Sequence, residues 1–219
     1  MTEKTVNHGR FITIEGIEGV GKSTNLAFVQ RMLTDKGLDV CITREPGGTT
    51  LAEQLRELLL TQRKEGMVDD AELLLMFAAR ADHIARVIRP ALQRGAWVVS
   101  DRFTDATYAY QGGGRGIAVQ RIDQLKHWVQ GDLQPDLTLL LDAPVALGLQ
   151  RVGKRGKKDR FEKEAEAFFN RVRAAYLALA QQSPQRFRVV DTSRNLATVQ
   201  ASIAAIIDEF SKSAPPADA

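Results

Sequence analysis

The chain has 219 residues, 44% hydrophobic and 26% charged, a composition that excludes a disordered chain and gives enough apolar side chains for a sizeable core. The formal charge of +3 is too small for a chain that binds nucleic acid over its whole surface, and the lone Cys41 excludes an internal disulfide and fits a reducing compartment. The opening MTEKTVNHGR lacks an apolar signal core and no run approaches ~18 apolar residues, so a cytoplasmic protein without a membrane span is expected.

The first element is the apolar run RFITIEG (10–16), read as a strand. It leads into GIEGVGKST, which fits G-x-x-x-x-G-K-[ST] at Gly16, Gly21, Lys22 and Ser23. In such a loop, backbone N–H groups from Gly16, Ile17, Glu18, Gly19, Val20 and Gly21 cradle phosphate, and Thr24 continues the binding segment. Lys22 reaches the outer phosphates, Ser23 holds Mg²⁺, and a helix from about Gly21 points its positive end at the anion. Glu18 is the anomaly, a carboxylate inside an anion cradle.

DVCITR (39–44) is the second strand, and Arg44 at its carboxyl end stands where a second phosphate can bind. Pro46 in TREPGGT keeps Glu45 extended. Thr50 with Glu53 has capping-box spacing before LAEQLRELLL, and Asp69 with Glu72 repeats it before a long helix that should end near Gly95, with Pro90 in its last turns. The third strand, AWVVSDR (96–102), ends in Asp101 and Arg102. Asp101 is placed like a Walker-B carboxylate for Mg²⁺, and Arg102 like a fork for an acceptor phosphate.

TYAYQGGGRG follows. Tyr108 and Tyr110 read as core, whereas Thr107 and Gln111 can address a base edge. DLTLLLD (136–142) is the fourth strand, and its Asp142 competes with Asp101 for the metal on pattern alone. The next helix should begin near Pro144. RVGKRGKKDR (151–160) carries six basic residues and two glycines, as a mobile cationic lid over ATP would. Glu162, Glu164 and Glu166 then fit the first turns of a helix. RFRVVD (186–191) is the fifth strand, and the tail 211–219 is expected to be frayed. Five buried strands alternating with helices give a parallel five-stranded α/β sheet in one domain, 1–219, with its core at about 10–210.

In order along the chain, FITIEGIEGVGKST, TREPGGT, FAARADH, DRFTDATYAYQGGGRG, PDLTLLLD and RGKKDRFE resemble the thymidylate kinases, which phosphorylate dTMP to dTDP on the route to dTTP. The resemblance implies a P-loop fold of the nucleoside monophosphate kinase kind, an ATP and Mg²⁺ requirement, a homodimer, and no nucleic-acid or membrane partner. It is to the bacterial type with a catalytic arginine in the lid. Another type carries an arginine in the P-loop, where this chain has Gly19.

Carried over by residue, Glu18 matches the acidic position that contacts the deoxyribose 3′-hydroxyl. Arg44 and Arg102 match arginines at the dTMP phosphate, and Arg56 a further acceptor-side arginine. Arg80 matches the arginine on the thymine ring, and Thr107 and Gln111 match polar groups near the base. Arg155 matches the lid arginine that bridges phosphates, and Arg151 a residue near adenine. Catalysis would rest on Lys22, Arg102 and Arg155. The family's stacking phenylalanine lies four residues before the base arginine, a place held here by Met76, with Phe77 one residue on and about 100° around the helix. Either can cover the base. The rival readings are a kinase for another nucleotide or a deoxynucleoside, a non-catalytic ATP-binding module, and a nucleic-acid ATPase.

Overall fold

The computed structural model describes residues 9–153, 159–162 and 164–212. Five strands, β1 (Phe11–Glu15), β2 (Val40–Arg44), β3 (Trp97–Asp101), β4 (Leu137–Asp142) and β5 (Phe187–Asp191), form one all-parallel sheet in the order β2-β3-β1-β4-β5. Each expected strand is present within a residue or so of its apolar run. β1 and β4 are buried over almost their whole length, because helices cover both faces and no alternation of polar residues is needed.

The helices are α1 (Lys22–Asp35), α2 (Thr50–Leu60), α3 (Asp69–His83), α4 (Arg89–Gln93), α5 (Thr104–Thr107), α6 (Val119–Gln130), α7 (Val145–Gly153), α8 (Glu166–Gln182) and α9 (Leu196–Lys212). The long second helix ends before Gly95 as expected, but it is α3 and α4 joined by a π-helical stretch, Ile84–Ile88. A second π-helical stretch, Tyr108–Gly114, continues α5 and packs against α8. The main core runs from Ile12 and Ile14 through Leu139 and Leu141 to Phe169, Tyr176 and Ile203. Among the described residues no helix is long and apolar enough to cross a membrane.

Both capping expectations need correction. Thr49, not Thr50, caps α2, its hydroxyl accepting from the Ala52 N–H at 3.0 Å, and Glu53 accepts from the Gly48 N–H. Capping is local, and Thr49 and Thr50 differ only in which one takes the extended backbone. At α3 the cap position is Val68 with no side-chain bond, and Glu72 is fully buried and bound elsewhere. Only Glu166 of the three acidic residues lies in the first turn of α8, since that helix starts at Glu166. The frayed-tail expectation begins too early, because Ser211 and Lys212 are still helical; 213–219 lie outside the described residues. Likewise Arg151–Gly153, expected in the lid, close α7, and residues 154–158 lie outside.

The centre of the sheet sets the site. β1 lies between β3 and β4, so the loop after β1 emerges at the carboxyl end, where α1 begins. Gly19 in that loop has φ 76°, and a Cβ there would stand 2.1 Å from the Gly148 carbonyl oxygen in α7. The contact is backbone on backbone, so neither side can rotate away. Gly19→Ala should destabilise the fold by about 2–5 kcal/mol through left-handed strain and overpacking. A urea-melt midpoint within error of the parent would refute this.

Candidate active site

The loop Gly16–Gly21 delivers a helix N-terminus without a side-chain cap. Gly21, at φ 91°, precedes Lys22, and its side-chain-free turn leaves the first N–H groups of α1 facing the cleft. Lys22, Ser23, Thr24, Gly19 and Gly21 line one wall. The Lys22 Nζ donates to the Gly16 and Ile17 carbonyls at 3.1 and 2.9 Å. Burial pushes its ammonium down to about 8, and the Arg102 charge adds to this, against the pull of Asp101, Glu18 and Glu15. An ammonium that poor in solvent gains most from an anionic partner. Ile17 and Val20 turn their side chains into the core, so only their backbone can serve the loop.

The opposite wall is cationic as well. Arg56 on α2 donates to the Pro46 carbonyl at 2.9 Å and lines the cleft. Arg102 follows β3 and is the described non-glycine residue with positive φ, 73°. That conformation costs about 1–2 kcal/mol. It is held by the Arg102 N–H donating to Ile14, by Ser100 Oγ donating to the Arg102 carbonyl, and by Phe103 N–H donating to Glu15 Oε1 at 2.7 Å. Glu15 is fully buried and also accepts from Tyr176 Oη. Burial, with the Asp105 charge beside it, pushes its carboxyl up to about 8.

Glu18 points across the cleft, away from the loop's anion-facing side. Its Oε1 accepts from Arg102 at 2.8 Å and its Oε2 from the Tyr110 hydroxyl at 2.6 Å. Tyr110, expected as plain core, is buried yet lines the cleft, and its ring lies under the Arg102 guanidinium.

Arg80 on α3 is buried deeper in the cleft. Its Nε donates to Glu45 at 2.7 Å and its NH2 to Thr107 Oγ1 at 3.0 Å, while its NH1 has no partner among the described residues. Glu45 also binds His83 Nδ1 at 2.9 Å. Thr107 and Gln111 line the same wall one turn apart. Met76 lines the cleft and Phe77 does not: Phe77 is buried with Leu73, Ile117 and Ile122. The 100° offset therefore resolves against Phe77 as a lining residue.

Arg44 and Arg151 also lie outside the cleft lining. Arg44 is half-exposed and paired with Glu53 at 2.8 Å, at the rim. Arg151 donates to the Gly19 and Thr192 carbonyls behind the loop. Arg155 lies outside the described residues. Of the two competing carboxylates, Asp101 lines the cleft beside Lys22 and Ser23, whereas Asp142 is engaged by Arg173 in two bonds of 2.7 Å. Asp101 Oδ1 is buried without a hydrogen-bond partner among the described residues. A bare carboxylate oxygen and a serine hydroxyl lining the same cleft are donors that suit Mg²⁺, whose remaining positions water and phosphate oxygens commonly fill.

Residues missed in the sequence are Glu15, Glu45, Glu72, Tyr110 and Tyr176. Each is a polar group within or beside an apolar run, the one available signal that it must find a partner when buried.

A phosphate-binding loop facing a second cationic wall across one cleft defines a P-loop phosphotransferase with separate donor and acceptor ends. A family model described as thymidylate kinase matches residues 14–203. The thymidylate kinase of Nitrosomonas europaea is 58% identical over 205 residues, covering 94% of this chain and 95% of that protein. That of Pseudomonas putida is 61% identical over 199 residues, covering 91% and 95%. The crystal structure of thymidylate kinase from Ehrlichia chaffeensis matches with a TM-score of 0.73 at 32% identity, covering 91% of this chain and 99% of that one. The chain belongs to the thymidylate kinase family. It is an ATP-dependent nucleoside monophosphate kinase that makes dTDP from dTMP.

Proposed function

We propose that the cleft carries out in-line transfer of the γ-phosphoryl group of ATP to the 5′-phosphate of dTMP, with donor and acceptor bound at opposite walls. The observation that carries this is one cleft lined by Lys22 and Ser23 on one side and by Arg56, Arg102 and Arg80 on the other. A phosphate acceptor is already anionic and needs little general-base help, so the residues act by positioning and by neutralising charge. Lys22 and the α1 N-terminus take the ATP phosphates. Arg102 and Arg56 hold the acceptor phosphate, with Arg44 able to join them from the rim. Ser23 and Asp101 would hold Mg²⁺, which supplies further charge neutralisation at the phosphates. Arg155 of the lid is assigned a phosphate-bridging role from the resemblance alone, and Arg151 a place near adenine behind the loop. Arg80, Thr107 and Gln111 face the thymine, with Met76 against its ring.

Glu18 serves the acceptor sugar. Its carboxylate accepts hydrogen bonds only, and it is aimed at the acceptor wall by Arg102 and Tyr110. Glu18→Gln should lower kcat/KM for dTMP about tenfold or more, with less than about a twofold change in the KM for ATP. Equal losses on both substrates would sink the assignment. The function as a whole is tested by ADP release across dTMP, dUMP, dCMP, dGMP and thymidine. dTMP should be strongly preferred, and turnover without an acceptor would favour a different class.

A homodimer in the cytoplasm is part of the same reading. The dimer is supported by exposed apolar side chains on neighbouring α2, α3 and α6, among them Leu58, Leu74 and Trp128.

A further inference from the structure

Glu72 is a fully buried carboxylate with no part in the transfer described above. It accepts from the Gln111 side-chain Nε2 at 2.7 Å and from Arg160 at 2.6 Å, with two longer bonds of 3.4 Å from Arg115. A carboxylate flanked by two guanidiniums accepts and does not donate. The Gln111 amide therefore has one allowed orientation, NH₂ towards Glu72. Gln111 lines the cleft, and its carbonyl oxygen accepts no hydrogen bond among the described residues. The end of the amide left for a ligand is thus an acceptor.

Arg80 supplies the complement. Its Nε and NH2 are occupied by Glu45, Thr107 and the Phe103 carbonyl, and its NH1 is buried and unpaired among the described residues. One wall then offers a donor and an acceptor. An imide edge, a carbonyl oxygen beside a ring N–H, satisfies both, and thymine and uracil have it. Cytosine presents an amine and a bare ring nitrogen there, which sets donor against donor and acceptor against acceptor.

We propose that Glu72 is a specificity-positioning residue: by locking the Gln111 amide it makes the site take pyrimidine imides and reject cytosine. The proposal rests on the dTMP reading and deepens it. Glu72 touches no substrate. Its effect passes through Gln111, and a simple structural role for the cluster would alter all acceptors alike.

The test measures kcat/KM for dTMP, dUMP and dCMP in the full chain and in Glu72→Gln, whose neutral amide can donate or accept and so frees Gln111 to turn. The dTMP-to-dCMP preference should fall about tenfold or more, because the unpaired-group penalty against cytosine is relieved. The dTMP-to-dUMP preference should stay unchanged, since both bases show the same edge. If Glu72→Gln does not fold, Glu72→Asp keeps the charge for Arg115 and Arg160 while drawing it back from Gln111, and the same fall is expected. Gln111→Met, which removes the amide, must also lose the preference. A parent chain that rejects dCMP, with the dTMP-to-dCMP ratio intact in the folded variants, overturns the role of Glu72 and leaves the dTMP reading standing. A parent chain that uses dCMP as readily as dTMP overturns both.

Discussion

Arg102→Met should lower kcat for dTMP by roughly 10²–10³-fold, the range seen when one positioned donor to a developing charge is removed. Arg102 lines the cleft and is tied to Glu18 of the phosphate loop. Its guanidinium touches Glu18 at 2.8 Å and covers the Tyr110 ring, while its backbone continues from Asp101. Its placement is prepaid by a left-handed backbone held through Ile14, Ser100 and Glu15, so the charge does not have to be recruited during transfer. Arg102→Lys should recover only part of the loss, because an ammonium cannot make a planar fork to a phosphate. Steady-state ADP release at saturating ATP checks both variants, with a thermal melt to show that each is folded. A kcat within tenfold of the parent for Arg102→Met would remove Arg102 from the catalytic set.

Glu45→Ala is expected to be the most damaging single change to stability, about 3–5 kcal/mol, through a mechanism distinct from cavity formation. Glu45 and Arg80 are each about 5% exposed or less, and Glu45 joins Arg80 and His83 in one buried group. Removing the carboxylate leaves the Arg80 guanidinium buried with only neutral partners, Thr107 and the Phe103 carbonyl. The penalty is that of the stranded charge rather than of one hydrogen bond. Arg80→Met/Glu45→Met, which removes both charges, should be markedly more stable than Glu45→Ala, although it lacks the base contact. Urea melts of the two variants decide this, and equal stability would show that the pair is not coupled in the way described.

The sheet was legible in the sequence because strands buried on both faces must be apolar throughout, and nothing in a helix-period segment imitates that. The phosphate loop was legible because close backbone approach leaves few options at Gly16 and Gly21. What was obscured depends on tertiary partners. Whether Thr49 or Thr50 caps α2 turns on one backbone angle, and both spell the same motif. Met76 and Phe77 are adjacent on α3, and only the packing of Leu73, Ile117 and Ile122 around Phe77 decides which one meets the cleft. Glu72 had the spacing of a cap yet is a buried hub, because Arg115 and Arg160, far away in sequence, converge on it. The π-helical stretches at 84–88 and 108–114 depart from the 3.6 period only slightly, and a pattern of apolar positions cannot resolve so small a change.

The contact between Gly19 and Gly148 bears on how interchangeable two designs are. The resemblance drawn from the sequence separates a type with an arginine in the phosphate loop from one without it there, and this chain has Gly19 at the loop position. Here the backbone of α7 occupies the volume where any side chain at 19 would begin, and a Cβ on Gly148 would in turn stand 2.6 Å from the Glu18 carbonyl. An arginine therefore cannot be placed at position 19 by a single exchange. The graft must also shift α7, so the residue at position 19 and the course of that helix are inherited together.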